Sequence, residues 1–337
     1  MSSLLPFQTT RFAEKIDRIR RGEYRSGDFM LADAKDGDLA AGVTAMGYRR
    51  DGSGAAAGLR TRPEFHQQIR DLIQQDTLDI MLTSTATMEQ LKEEGAFEGS
   101  RMLAAFRGNE ATDAWVGLRG GRYREFAPLP YRGAALEFAS APICLYSLTW
   151  INDARHDVAS LEAYARFRAD ARSHGIMHFL EVFNPNVDTG LSARDTPAFI
   201  NDCIIRTLAS LTRAERPEFL KVAYNGPQAL EELVSHDPSV VVGVLGGGQG
   251  THRDTFELLA QAERHGGRLA LFGRKINGAE HQPTMVNWMR RVVDREATSL
   301  EAVRGYHADL QRLGLRADRH LETDSEITED VLRSDLT

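Results

Sequence analysis

The chain has 337 residues, 42% hydrophobic and 26% charged, the balance of an ordinary soluble globular protein. A formal net charge of −7 argues against a general nucleic-acid binder, which needs a basic surface to neutralise phosphates. No apolar run reaches the roughly 18 residues of a membrane helix, the N-terminal segment lacks the basic-then-apolar layout of a signal peptide, and two cysteines in apolar segments, Cys144 and Cys203, suit a reducing compartment, so a cytoplasmic location away from membranes is expected.

Residues 9–21 show helical spacing, with Phe12, Ile16 and Ile19 on one face and Lys15 on the polar, solvated side. From "DFMLAD" (28–33) onward, apolar runs alternate with helical stretches. A helix at about 62–75 precedes "LDIMLTS" (78–84), and one near 87–94 precedes "RMLAAFR" (101–107). Residues 117–135, rich in Gly, Arg and Pro, read as a long loop or hairpin insertion. The alternation resumes with "APICLYSLTW" (141–150), "IMHFLEVFN" (176–184), "EFLKVAY" (218–224), "SVVVGVLGG" (239–247) and "RLALFG" (268–273). Helices are expected between them at about 158–173, 195–212, 227–235, 252–265 and 282–294. Eight apolar runs separated by amphipathic helices mark a parallel sheet covered on both faces, and eight units fit a (β/α)8 barrel. An open doubly wound sheet is disfavoured because no Gly-x-Gly-x-x-Gly follows the first run. The expected organisation is a single domain over 1–337. It comprises the 9–21 helix, a barrel core at about 28–295 and a helical extension at about 298–337.

Catalytic groups in such a barrel come from the C-terminal strand ends and the loops after them. The chain holds only five lysines, Lys15, Lys35, Lys92, Lys221 and Lys275; unlike Arg, a buried Lys can shed its proton and act as a nucleophile. Alternation along "EFLKVAY" puts Phe219 and Lys221 on the inward face. Taken alone, such a lysine is as readily a structural ion-pair partner as a nucleophile. By the same parity Glu181 faces inward one strand earlier, placed either to shuttle protons for Lys221 or to be its counter-ion. Tyr146 on the fourth run offers a phenol for proton traffic or is simply core. Asp33 ends the first run, placed to hold a substrate hydroxyl or to set the lysine's charge. Lys35 is an anion contact or a surface residue, and Arg107 ends the third run as a further anion contact. The glycines of "VLGGGQGT", with Gly247 and Gly248, and then Gly273-Arg274 of "LFGRKIN" follow the seventh and eighth runs, where this fold holds phosphate. Lys275 is a further phosphate contact or solvated, and His252, an alternative anion contact, is expected at a helix-start surface. The ten histidines show no metal-ligand spacing, so neither metal nor cofactor is expected.

The succession "LADAKDGDLA", "HFLEVFNPN", "EFLKVAYNGP", "GVLGGGQGT" and "LFGRKINGAEHQPTMVNWMRRVV" resembles the Schiff-base (class I) aldolases, in particular the tagatose-1,6-bisphosphate, sulfofructose-phosphate and archaeal-type fructose-bisphosphate enzymes. The resemblance implies that Lys221 forms the imine, that Glu181 is the proton-transfer carboxylate, and that Asp33 and Lys35 match the acid and basic residue at the end of strand one. It further implies that the glycines after strand seven and Gly273-Arg274 bind substrate phosphate, and that the protein is a homo-oligomer. The tagatose enzymes carry a lysine on strand four where this chain has Tyr146, whereas the archaeal-type enzymes use a tyrosine in that region. The expected activity is cleavage or formation of a C–C bond in a phosphorylated ketose or keto-acid phosphate. The alternatives are a Schiff-base isomerase, lyase or transferase on the same barrel, or a non-catalytic sugar-phosphate-binding protein.

Overall fold

The computed structural model describes residues 7–50 and 56–333. Eight parallel strands close into a barrel in sequential order: β1 (Met30–Lys35), β2 (Ile80–Thr83), β3 (Leu103–Arg107), β4 (Ile143–Leu148), β5 (Met177–Val182), β6 (Leu220–Val222), β7 (Val242–Leu245) and β8 (Leu269–Phe272). Around it run α1 (Arg11–Arg20), α2 (Arg62–Gln75), α3 (Thr85–Glu93), α4 (Ala154–Ser173), α5 (Thr196–Ala209), α6 (Pro227–His236), α7 (His252–Arg264), α8 (Gln282–Val293) and α9 (Ser299–Arg312). This is the (β/α)8 fold that the alternating runs predict. Every strand is buried on both faces, so its sequence is a nearly continuous apolar run rather than an alternating one.

Strand alternation divides the core in two. Ala32, Ile80, Leu103, Leu145, Phe179 and Phe219 fill the barrel lumen, while Leu31, Met81, Phe106, Tyr146, Leu180 and Val222 pack outward against the helices. At the N-terminal end of the barrel α1 acts as a plug, its Phe12 ring 5.7 Å from Phe219, which stacks at 4.4 Å on Phe179. This placement overturns the reading of Lys15 as solvated. Docking the apolar face of α1 carries Lys15 inside, where Nζ lies 2.9 Å from Asp79 Oδ1, and Asp79 Oδ2 in turn accepts the Leu31 amide at 2.8 Å. Burial lowers the Lys15 pKa while Asp79 pulls it up.

The C-terminal segment folds back onto α7 and α8. Asp324 is fully buried; it accepts the backbone amide of His252 at 2.9 Å and contacts both His252 Nδ1 and, at 2.8 Å, His307 Nε2. On its other side His252 Nε2 lies 3.2 Å from Glu280 Oε2. Farther along, Thr328 N donates to Asp254 Oδ1 at 2.7 Å, and Glu329 Oε1 lies 3.0 Å from Lys275 Nζ. His252 is therefore buried and doubly bonded rather than on the surface, and Lys275 is buried and ion-paired rather than free for phosphate. Among the described residues no helix is long and apolar enough to cross a membrane.

Candidate active site

The C-terminal mouth of the barrel opens into a cavity of about 490 Å³, lined among others by Asp36, Arg107, Asp113, Glu181 and Lys221, and by Gly246, Gly247, Gly273 and Arg274. On its floor Lys221 pairs in register with Glu181 on one side and Gly243 on the other. Lys221 and Glu181 are 6% and 2% exposed, and Lys221 Nζ is in direct contact with Glu181 Oε1. The other carboxylate oxygen, Oε2, accepts from Ser147 Oγ at 2.6 Å. Ser147 is aligned from β4 by Asn109, whose side chain accepts the Ser147 amide at 2.6 Å and donates to its carbonyl at 2.8 Å. Arg107 then donates to Ser147 Oγ at 2.8 Å, pairs with Asp36 Oδ2 at 2.8 Å and stands 3.6 Å from Glu181 Oε2. The guanidinium pKa is raised: burial lowers it, but Asp36 and Glu181 outweigh that. Glu181 thus has one oxygen fixed by Ser147 and the other turned to the amine.

The glycine-rich loops form another part of the cavity wall. Gly247 has φ +62°, and a Cβ on Gly273 would come 2.7 Å from the carbonyl oxygen of Ala34, so both positions require glycine. Arg274 follows Gly273. Burial, with a contribution from Arg124, lowers its pKa, and among the described residues no carboxylate pairs with it. Gly248 does not line this cavity. A neighbouring cavity of about 470 Å³ shares Arg274 and Asn277 and adds Arg60.

Two expected site residues, Tyr146 and Asp33, lie outside the cavity lining, and a third, Lys35, reaches it while held by polar partners. Tyr146 faces outward, its ring 4.9 Å from Tyr164 and 4.5 Å from Phe167, and burial pushes its phenol above the ordinary range. On β4 the inward positions belong to Leu145 and Ser147, so Tyr146 is helix-packing core. Asp33 likewise has the outward parity of Leu31. It is fully buried, with Oδ2 3.3 Å from Lys35 Nζ, and burial raises its pKa to about 6 despite that lysine. Lys35 is buried rather than on the surface and lines the cavity: its Nζ donates to Gln282 Oε1 at 2.8 Å and to Asn277 Oδ1 at 3.3 Å. Burial lowers its pKa. The strand-one carboxylate that reaches the cavity is Asp36, just past the end of β1. Arg107 reaches the cavity too, but as counter-charge to Asp36 and Glu181.

Sequence reasoning missed Asp36, Ser147 and Asp113. Ser147 carried no usable signal, because both faces of β4 are apolar and alternation alone does not choose between them. Asp113 gives no local signal, because it sits in a turn that leads into the 117–135 insertion. There Glu110–Ala111 pairs antiparallel with Pro130–Tyr131, and the turn Thr112–Gly117 packs on the short helix Gly37–Ala41. At Gly117 a Cβ would fall 2.5 Å from that of Ala41. This close approach brings the insertion against the cavity mouth. Asn186, which also lines the cavity, donates to Phe126 O at 3.0 Å.

Among the described residues one group, His252, His307 and Asp324, brings three metal-type donor atoms within 4.8 Å of one another. It lies behind α7, outside the cavity lining, and its donors already bond to each other.

No protein-family model matches the sequence, and no curated protein does. Solved structures do match. An archaeal fructose 1,6-bisphosphate aldolase superposes with a TM-score of 0.60 at 14% identity, over 84% of this chain and 99% of that one. A Schiff-base-forming fructose-1,6-bisphosphate aldolase gives 0.60 at 16% identity over the same shares. A Corynebacterium glutamicum protein gives 0.54 at 16% identity, over 87% of this chain and 99% of that one. At these identities the likeness is one of fold: this chain shares the (β/α)8 barrel.

Proposed function

We propose that the protein is a class I aldolase that cleaves or forms a C–C bond in a phosphorylated ketose or keto-acid phosphate through an imine on Lys221. The observation that carries this reading is the contact of Lys221 Nζ with Glu181 Oε1 on the floor of a cavity that is also walled by glycine loops and by Arg274, which pairs with no carboxylate among the described residues. A lysine placed only for structure would need a carboxylate, but not an open cavity above it or an arginine in the same wall.

In this mechanism Lys221 passes a proton to Glu181 and adds as a neutral amine to the substrate ketone. Glu181 returns the proton to the carbinolamine hydroxyl, which leaves as water, and the iminium becomes the electron sink for C–C cleavage. Ser147 and Arg107 hold Glu181 so that the same oxygen serves both transfers. Gly246, Gly247, Gly273 and Arg274 hold the phosphate, with Arg274 supplying charge-assisted hydrogen bonds. The expected partner is the phosphorylated sugar, and assembly as a homo-oligomer in the cytoplasm completes the proposal.

Borohydride reduction in the presence of dihydroxyacetone phosphate, followed by peptide mass mapping, tests it. A reduced adduct on Lys221, lost in Lys221→Met, is expected. No adduct, or an adduct on Lys35, overturns the mechanism. An adduct on Lys221 without triose-phosphate release from any phosphorylated ketose tested points to an isomerase or transferase.

A further inference from the structure

Aldol cleavage needs two proton-transfer centres. One serves the imine nitrogen and the carbon next to it; the other takes the proton from the hydroxyl that becomes the aldehyde. Glu181 has both oxygens engaged at the first centre, one on Lys221 and one on Ser147. Tyr146, the phenol that sequence suggested for the second, faces the helices. The cavity wall offers another group.

Asp113 stands in the turn Thr112–Gly117 and lines the same cavity as Lys221 and Glu181. Its Oδ2 accepts from Thr149 Oγ1 at 2.6 Å, and Thr149, just past the end of β4, is itself buried. Its Oδ1 is buried and has no hydrogen-bond partner among the described residues. No cation is paired with it among the described residues. A buried carboxylate oxygen left without a donor is costly, and a substrate hydroxyl in the cavity would supply that donor. This is the arrangement of a base held on one oxygen and free on the other.

Resting on the aldolase reading, we propose that Asp113 is the second proton-transfer group, taking the proton of the substrate's C4 hydroxyl as the C3–C4 bond breaks. The bonding pair of C3–C4 flows into the iminium and leaves an enamine on Lys221. The C4–O–H proton moves to Asp113, and the C4–O pair closes to the aldehyde carbonyl. In the reverse direction Asp113 returns that proton to the new alkoxide. No external oxidant or reductant is needed. Burial and the charge of Glu181 both raise the Asp113 pKa, which brings a carboxylate nearer the range useful for proton exchange. Thr149 is its positioning residue. The segment at 117–135 thereby gains a role: its Pro130–Tyr131 strand closes the ribbon with Glu110–Ala111, next to the turn that holds Asp113 at the mouth of the barrel.

Two half-reactions separate this proposal from the reading it rests on. Exchange of the C3 hydrogens of dihydroxyacetone phosphate with D2O needs Lys221 and Glu181 only. Condensation of dihydroxyacetone phosphate with glyceraldehyde 3-phosphate needs the second centre as well. Asp113→Asn is expected to retain exchange and borohydride trapping while condensation falls by at least about 100-fold. Retention of both reactions in that variant overturns the assignment. If both are lost, Thr149→Val decides, since it leaves the carboxylate but removes its anchor. A loss of condensation alone, restored by Thr149→Ser, supports the assignment, and any other result overturns it. Absence of exchange and trapping in the wild type overturns the aldolase reading itself, and this assignment with it.

Discussion

Replacing His252 by Asn should make the attachment of the C-terminal segment nearly independent of pH between 6.5 and 9. In the folded chain the ring stands between Glu280 and Asp324, with Tyr306 and His307 as its aromatic neighbours. Burial pulls its pKa down, but the hydrogen bonds and charges of Asp324 and Glu280 outweigh that and lift it from 6.5 to about 9. A raised folded-state pKa contributes stability that is complete below the unfolded value and is lost as pH rises through the folded one. The difference between 6.5 and about 9, at 1.36 kcal/mol per pH unit, is about 3 kcal/mol. The carboxylates act in the opposite direction. Despite burial, the bond to His252 holds Glu280 down to about 2 and likewise lowers Asp324, so their contribution is present above the usual carboxylate range and lost only in acid. The attachment should therefore be firmest between about pH 5 and 6.5 and weaken toward pH 9. Hydrogen exchange at residues 321–333, corrected for intrinsic rates, reads the local opening free energy. In the wild type, protection should fall by roughly 100-fold between pH 6 and 9.5 relative to His252→Asn. A wild-type-to-variant ratio that stays constant over that interval would refute the reasoning.

Three further outcomes follow from the site. Ser147→Ala leaves Glu181 Oε2 and Arg107 Nη2 without their shared partner; it should cost roughly 1–3 kcal/mol in unfolding free energy and slow borohydride trapping by roughly 10- to 100-fold as the carboxylate turns. Glu181→Gln keeps the shape but cannot relay protons, and single-turnover trapping should slow by roughly 100-fold or more. Arg274→Met removes an exposed guanidinium with which no carboxylate pairs among the described residues. Its melting temperature should therefore not fall, while KM for a phosphorylated substrate rises roughly tenfold or more. A lower melting temperature with unchanged KM would remove Arg274 from the phosphate site.

The parts of this protein that were legible in sequence share a physical cause. Parallel strands between helices lose water on both faces, so each of the eight announces itself as an apolar run. Lys221 and Glu181 stood out because a charge inside such a run must point somewhere, and alternation about Phe219 and Phe179 points both into the lumen. Glycines at 246, 247 and 273 announced loops after the last two strands. Parity failed where both faces of a strand are apolar: nothing local in "ICLYSL" says that Leu145 and Ser147, rather than Tyr146, face inward. It failed again at Asp33, where the outward side of β1 holds a carboxylate and an ammonium together.

The rest was decided by partners distant in the chain. Lys15 reads as a surface lysine until α1 plugs the barrel and sets it against Asp79. His252 and Lys275 read as exposed until the C-terminal segment brings Asp324 and Glu329 to them. Asp113 reads as one acid in a loop until the packing of Gly117 on Ala41 turns it into the cavity. Sequence by itself determined the barrel, its eight strands and the lysine–glutamate pair, because those follow from burial and a two-residue repeat. Only the tertiary structure decided which other charges face the cavity, because a buried charge goes where a partner or an opening compensates it, and both are made by segments that meet only after folding.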